Sequence, residues 1–375
     1  MFNISDCVNS AKQTGYYSKV KYAKLVDDVV AYGAGTYFKE AFGQWNFKEK
    51  MNVSMVCDSN ENKQGTMING IECISPNRLV EISKEKKIFV VVFLGNPIGI
   101  SRWLNAQGIV NASASECIFE MICDMPQTEE WFEKNKIEEV FASLADEESK
   151  EVYGNVIATR ISPEYVEKDL SELCSPGEYF GVDMFRFEED ECYVDCGAYN
   201  GDTIEQFVET VGPQFRRIYG FEIADENYAL LQNNITRISK EKGIESSHFR
   251  MMNLGCWDSH TFLTFGKEEC GSPEGFSLLK GENSEGIEVV ALDEVIDDTV
   301  TFIKMDIEGS ELSALRGAAG IIKRDKPKLA ICIYHRLQDF WEIPMFIKEL
   351  VPEYKLYVRH HQNGTIGGTV MYAVI

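Results

Sequence analysis

Cys192-Tyr-Val-Asp-Cys-Gly-Ala-Tyr-Asn-Gly-Asp-Thr203 sets an apolar run ending in a carboxylate directly before a glycine turn. Residues 191–195 read as the end of a buried strand. Gly197 and Gly201 let the backbone turn sharply and approach a ligand, because they carry no Cβ. Thr203 falls where a helix N-cap belongs, ahead of Ile204-Glu-Gln-Phe-Val208. Strand, glycine loop and helix N-terminus together form the cofactor cradle of doubly wound folds.

The loop lacks the Gly-Lys-Ser/Thr ending that meets a β/γ-phosphate, and it is not Gly-x-Gly-x-x-Gly. Its spacing, Asp-x-Gly-x-x-x-Gly-Asp, suits a cofactor without a pyrophosphate, and S-adenosylmethionine is the candidate. Asp195, Gly197, Tyr199, Gly201, Asp202 and Thr203 are the expected cofactor-binding residues. The alternative is a tight structural turn that binds nothing.

From residue 190 onward strands and helices alternate, as in a doubly wound sheet. Strands are predicted at 192–195, 218–222, 249–254, 301–305, 328–333, 354–360 and 369–374. The short link Gln362-Asn-Gly-Thr-Ile-Gly-Gly368 makes the last two an antiparallel hairpin at the sheet edge. Glu222 ends the second strand, where an acid accepts hydrogen bonds from ribose hydroxyls. Asp258 is placed at the end of the third strand, as an acceptor for an adenine amino group.

The fourth strand leads into Asp306-Ile-Glu-Gly-Ser-Glu311. Asp306 lies beyond a strand's carboxyl end, where open α/β sheets bind ligands. Gly309 permits a turn and Ser310 can cap the helix that follows. Asp306, Glu308 and Glu311 suggest either a divalent-metal site or a structural Glu-capped turn, and no metal is assigned. His335 follows the fifth strand. Its ordinary pKa suits it to take a proton from a hydroxyl, so His335 and Asp306 are the expected catalytic pair. The alternative for His335 is a satisfied histidine at a strand end.

Nearer the N-terminus, Asp28-Val-Val-Ala-Tyr-Gly-Ala-Gly-Thr-Tyr-Phe-Lys39 is a strand, a Gly-x-Gly turn and a helix, with Phe38 at the third glycine position of a dinucleotide fingerprint. A second strand ends in Asp58, where ribose hydroxyls are often bound. Residues 88–94 form a continuous apolar strand of a buried parallel sheet. Tyr32-Gly-Ala-Gly35, Cys57-Asp-Ser-Asn60 and Gly65…Asn69-Gly-Ile71 resemble the sugar-nucleotide-binding N-terminal domain of certain sugar acetyltransferases. The resemblance implies a nucleotide-sugar pocket at Gly33, Gly35 and Asp58. The alternative is a scaffold or a homodimer surface.

The chain of 375 residues is long enough for two domains. Its net charge of −23 argues against nucleic-acid binding and against an anionic membrane surface. Residues 111–190 hold 21 acidic against 6 basic side chains, which marks a solvated helical connector. Eleven cysteines without Cys-x-x-Cys spacing exclude common zinc patterns and leave reduced thiols as the default. No signal peptide is evident and the longest apolar run is too short to span a bilayer, so a cytoplasmic location is expected.

Several blocks together resemble the FkbM family of S-adenosylmethionine-dependent methyltransferases. They are Tyr193-Val-Asp-Cys-Gly-Ala-Tyr-Asn-Gly-Asp-Thr203, Gly220-Phe-Glu222, Ile303-Lys-Met-Asp-Ile-Glu-Gly-Ser-Glu311, Leu315-Arg-Gly-Ala318 and Arg359-His360. The lead-in Ala145-Asp-Glu-Glu-Ser149 and the pair Tyr179-Phe180 also look like family members. The resemblance implies a class I methyltransferase sheet of seven strands with an antiparallel edge hairpin. It also implies an acceptor hydroxyl on a sugar, glycan or related natural product. The expected organisation is two doubly wound α/β domains. Residues 1–112 form a small Rossmann-like domain, 113–180 an acidic helical connector, and 181–375 the methyltransferase domain. Rival readings are an NAD-dependent oxidoreductase and a non-catalytic sugar- or partner-binding protein with a methyltransferase fold.

Overall fold

The computed structural model describes residues 19–94, 97–114, 117–118, 121, 134–161, 170–265, 278–280, 286–363 and 367–375. They divide between two compact units. The first lies within Met1–Lys134, Gly154–Glu172 and Asn363–Ile366, and the second within Asn135–Tyr153, Leu173–Gln362 and Gly367–Ile375. The described parts of the expected connector are thus shared out, with 173–180 belonging to the second unit.

The first unit is built on β1 (Asp28–Tyr32), β2 (Val53–Cys57), β3 (Met67–Ile68), β4 (Ile71–Ile74), β5 (Ile88–Val92) and β6 (Val110–Ser113). Their order is β3-β4-β2-β1-β5-β6. All neighbours are parallel except the β3–β4 pair at one edge. Every residue of β5 is buried, as its uninterrupted apolar composition requires. At the end of β2, the Asp58 carboxylate accepts hydrogen bonds from the backbone N–H of Ala34 and Asn60, at 2.8 Å each, and from the Lys63 ammonium, also at 2.8 Å. The acid expected to face a nucleotide-sugar ribose is therefore engaged by its own loop and by a lysine.

The second unit carries the seven-stranded sheet that the hydrophobic pattern predicts. Its members are β7 (Cys192–Cys196), β8 (Arg217–Phe221), β9 (Phe249–Met252), β14 (Phe302–Met305), β15 (Lys328–Cys332), β16 (Lys355–His360) and β17 (Thr369–Val374). The order is β16-β17-β15-β14-β7-β8-β9. The strands from β15 to β9 run parallel, and β17 is antiparallel to both its neighbours. This is the class I methyltransferase sheet with an antiparallel edge hairpin.

A second sheet was not foreseen. It consists of β10 (Gly255–Cys256), β11 (Thr261–Phe265), β12 (Leu278–Lys280) and β13 (Ile287–Val290), in the order β10-β13-β11-β12. The strand predicted at 249–254 accordingly ends at Met252, and the chain then leaves the main sheet.

Aromatic packing closes one face of the main sheet. Tyr193 stacks on Phe207 of the helix Asp202–Val211 and on Phe302 of β14, with centroids 4.7 and 5.1 Å apart. Each of these rings is fully buried, and burying a phenylalanine contributes about 1.5–3 kcal/mol.

The outer side of β16 is met by segments that precede the sheet in sequence. The Leu356 carbonyl accepts from Ala145 N (2.8 Å), Val358 N donates to the Ser149 hydroxyl (3.0 Å), and the His360 carbonyl accepts from Ser175 N (2.7 Å). Arg359 adds ion pairs to Asp146 and Glu148 at 2.7 and 3.3 Å.

At the centre of the sheet, the parallel register sets Lys304 of β14 directly opposite Asp195 of β7. The ammonium lies 3.0 Å from the carboxylate and donates to the Gly197 carbonyl at 2.8 Å, with both side chains almost wholly buried. Desolvation works against the ammonium, but Asp195 and Asp306 outweigh it and hold its pKa above the ordinary lysine value. Removing one partner of a buried ion pair leaves the other charge uncompensated. Lys304→Met is therefore expected to lower unfolding stability by about 3–5 kcal/mol in urea titrations. The Asp195→Leu/Lys304→Met double variant should recover most of that loss. A single variant as stable as the parent would refute the role given to the pair.

Candidate active site

The strand ends of β7, β8 and β14 open onto one cavity of ≈ 1010 Å³. Gly197, Tyr199, Asp202, Thr203 and Glu222 line it. The fit of the glycine loop is dictated by backbone contact. At Gly197 (φ +83°) a Cβ would lie 2.0 Å from the Asp306 carbonyl oxygen, so no side chain can stand there. Asp195 and Gly201 do not line the cavity. Asp195 is fully buried behind the loop, where the Thr203 hydroxyl donates to its second oxygen. The helix Asp202–Val211 starts two residues earlier than predicted and has no side-chain cap, because Gly201 occupies the cap position and Thr203 is turned to Asp195.

Tyr199 holds a left-handed backbone (φ 46°), and its side chain is 52% exposed. Its N–H donates to one Glu222 oxygen at 3.0 Å, and Ala224 N donates to the other at 2.8 Å. A carboxylate oxygen has two acceptor sites. Glu222 thus faces the cavity with each oxygen oriented by one backbone donor, and the Asn227 side chain supplies a third hydrogen bond. Desolvation raises its pKa, while the two backbone donors pull it down. Asp258 is not brought to this group. It is exposed, accepts from the Ser259 hydroxyl at 2.7 Å and lies outside the cavity lining, because the chain beyond Met252 joins the second sheet.

Asp306 lines the same cavity. The hydroxyls of Tyr179 and Tyr334 each donate to its carboxylate at 3.0 Å. Desolvation pushes this carboxyl up, but His335, Lys304 and the two tyrosines hold it below the ordinary range. His335 is buried and does not line the cavity. Its Nδ1 is 2.9 Å from the buried Glu311 carboxylate, and its Nε2 is 3.4 Å from Asp306 and 3.3 Å from Glu308. Desolvation opposes the imidazolium, but Glu311 first, then Asp306 and Glu308, raise its pKa to about 10. At neutral pH the ring already carries its second proton, so His335 acts there as a counter-ion.

Asp306, Glu311 and His335 place one potential donor atom each within 4.8 Å of one another. With the imidazole protonated the three groups form an ion cluster, and the same three atoms are spaced closely enough to hold a metal ion. Glu311 also reaches back to accept from Ile307 N at 2.9 Å, which closes the 306–310 loop as the Glu-capped turn among the two sequence readings. Ser310 stands at the helix N-cap without a side-chain cap bond.

Five contributors escaped sequence reasoning. Lys304 lies within the Lys-x-Asp-x-Glu-Gly block, and its lysine was the available signal. Phe262, Ile287 and Glu288 of the second sheet line the cavity with no local motif to announce them. Glu178 lines it too, next to the Tyr179 that drew notice only for its aromatic ring.

Residues 195–361 match the methyltransferase FkbM domain family. No curated protein matches the chain. Among solved structures, the chain is similar to the methyltransferase FkbM from Methylobacillus flagellatus, at 24% identity over 98% of each chain and a TM-score of 0.68. An rRNA methylase from Streptococcus thermophilus shares 12% identity over 54% of this chain and 90% of its own, at a TM-score of 0.32. Aeropyrum pernix fibrillarin, solved with S-adenosyl-L-methionine, shares 14% over 51% and 70%, at 0.29. The first likeness extends the shared fold over nearly the whole length, and the family match falls on the sheet and cavity described above: the chain carries an FkbM methyltransferase domain.

Proposed function

We propose that the protein is an S-adenosylmethionine-dependent O-methyltransferase acting on a hydroxyl of a sugar, glycan or related natural product. The observation that carries the reading is the Glu222 carboxylate at the end of the second strand, held at the cavity by Tyr199 N, Ala224 N and the Asn227 side chain. A carboxylate at this place in a doubly wound sheet is suited to accept from a ribose hydroxyl. Gly197, Tyr199, Asp202 and Thr203 would hold the rest of the cofactor, while Asp195 and Gly201 shape the loop from behind. When bound, the cofactor supplies an electrophilic methyl group.

The chain's own contribution is orientation and charge. Asp306, fixed by two tyrosine hydroxyls, is suited to position an acceptor hydroxyl. Much of the rate would come from holding oxygen and methyl carbon in line. His335 serves in this reading as the charge partner of Asp306 instead of the proton acceptor. Glycan or small-molecule acceptors agree with the family and with a net charge of −23, which disfavours nucleic acid.

Calorimetry should show S-adenosylhomocysteine binding to the wild-type protein, with Glu222→Ala weakening it about 10- to 100-fold through loss of charge-assisted hydrogen bonds. Binding of NAD(H) with no affinity for S-adenosylhomocysteine would favour the oxidoreductase. Cofactor binding without label transfer to any glycoside would favour the non-catalytic protein.

The His335 cluster makes a separate prediction. Its folded-state pKa, about 10, lies above the ordinary 6.5. Its stabilisation is therefore fully present below about pH 6.5 and is lost as pH rises toward 10. Denaturation midpoints of the wild type should fall across that window, and His335→Gln should remove this component of the fall. Parallel curves would contradict the ion-cluster description.

A further inference from the structure

Seven carboxylates line the cavity, and most are committed. Glu222 is held by two backbone donors, Asp202 accepts from Thr203 N, and Glu288 pairs with His260. Asp306 is surrounded by two tyrosine hydroxyls, Lys304 and His335. Such a carboxylate is stabilised as an anion and is a weak proton acceptor. Asp225 opens the helix Asp225–Lys242, and Glu308 stands beside the His335 imidazolium.

Glu178 is different, and the segment that carries it is built with unusual constraint. Gly177 has φ +81°, and a Cβ there would lie 2.7 Å from the Gly181 Cα. Gly181 N donates back to the Gly177 carbonyl at 2.8 Å, and Phe180 N to the Glu178 carbonyl at 2.8 Å. Tyr179, in between, adopts φ 64°, which a tyrosine takes only when its surroundings force it. Those surroundings are identifiable. Tyr179 N donates to the Tyr372 hydroxyl (3.1 Å), which pairs with His361 Nε2 (2.7 Å), while His361 Nδ1 is 2.8 Å from the Ser175 carbonyl. The Tyr179 hydroxyl is fixed on Asp306. The loop is thus tied to the edge hairpin at Ser175 and at the Tyr179 backbone, and to the site through the Tyr179 hydroxyl.

We propose that Glu178 is the proton acceptor for the acceptor hydroxyl, and that Tyr179 is the positioning residue that holds its loop over the cavity. The inference rests on the methyltransferase reading above. In the step, the hydroxyl oxygen forms a bond to the donor methyl carbon, and the carbon–sulfur bond breaks with its electron pair kept by sulfur. The O–H bond breaks and its proton passes to Glu178, which later returns it to water. The groups facing Glu178 support this use. Desolvation and the charges of Asp306 and Asp202 raise its pKa, Lys304 and a Tyr179 hydrogen bond lower it, and the balance is about 7. Tyr372 and Cys174 also feel its charge. A base poised near the working pH is efficient.

The test uses the full chain with labelled S-adenosylmethionine and a panel of methyl glycosides of glucose, galactose, mannose and rhamnose. Glu178→Gln should lose roughly 100-fold or more in kcat, and with it the rise of rate with pH through about 7. Its affinity for S-adenosylhomocysteine should stay within about threefold of wild type, and Glu178→Asp should recover part of the rate. Infrared titration of the wild type with S-adenosylhomocysteine should show one carboxyl band changing near neutrality that is missing from Glu178→Gln. Tyr179→Phe should shift that band's midpoint while leaving it present. Retained turnover and an unchanged pH profile in Glu178→Gln, or a band that survives the substitution, would overturn the inference alone. Failure of the wild type to bind S-adenosylhomocysteine or to label any glycoside would instead overturn the reading beneath it.

Discussion

The buried pair of Asp195 and Lys304 is the constraint from which the site follows. A charge on each of two neighbouring central strands could be tolerated in the interior only if the strands were paired in the register that brings them together. That register also fixes the level at which β7 and β14 end. The Lys304 ammonium holds the Gly197 carbonyl as well, so the glycine loop is tied to the adjacent strand at its first residue. The close approach of Gly197 to the Asp306 backbone then locks the two loops against each other. A cofactor loop and an acceptor-side loop that share so few atoms of slack can keep a reactive oxygen and carbon in line, which is where positioning catalysis derives its rate.

Charge in the site is arranged in two tiers. Beneath the surface, Lys304 and the His335 imidazolium offset the carboxylates of Asp195, Asp306 and Glu311. Glu178 and Glu222, which also line the cavity, are held by hydrogen bonds, and burial raises the pKa of both. Similar carboxylates therefore differ in behaviour through what lies behind them. The same distinction separates the two units. Asp58 and Glu222 both end a second strand and both accept from the preceding glycine turn, but Asp58 adds an ion pair to Lys63 where Glu222 adds a hydrogen bond from Asn227.

Much of this was legible in the sequence wherever the signal was local. The carboxylate–glycine loop at 195–203, the acid at 222 and the block at 306–311 are short segments whose chemistry is set by adjacent residues, and the alternation of strands predicted the main sheet. Reading failed where a residue's role depends on a distant partner. His335 looked like a base because its ordinary pKa is near neutral, and three carboxylates brought by another element change that. Asp258 was placed by counting along a strand that in fact stops at Met252. Glu178 sits in a Pro-Gly stretch that marks only a turn, and the ties that aim it come from β17 and from the residue following β16.

The segments laid along β16 have a consequence beyond this unit's own packing. Leu356, Val358 and His360 are alternate residues, and each has its outward backbone group bonded to Ala145, Ser149 or Ser175. A terminal strand normally offers such a row of groups to any passing chain, and pairing of that kind begins runaway assembly. Here the row is occupied by pieces too irregular to extend the ladder themselves. Among the described residues the sheet is finished on that side without an eighth strand, and the hairpin becomes an edge that other polypeptides cannot readily extend.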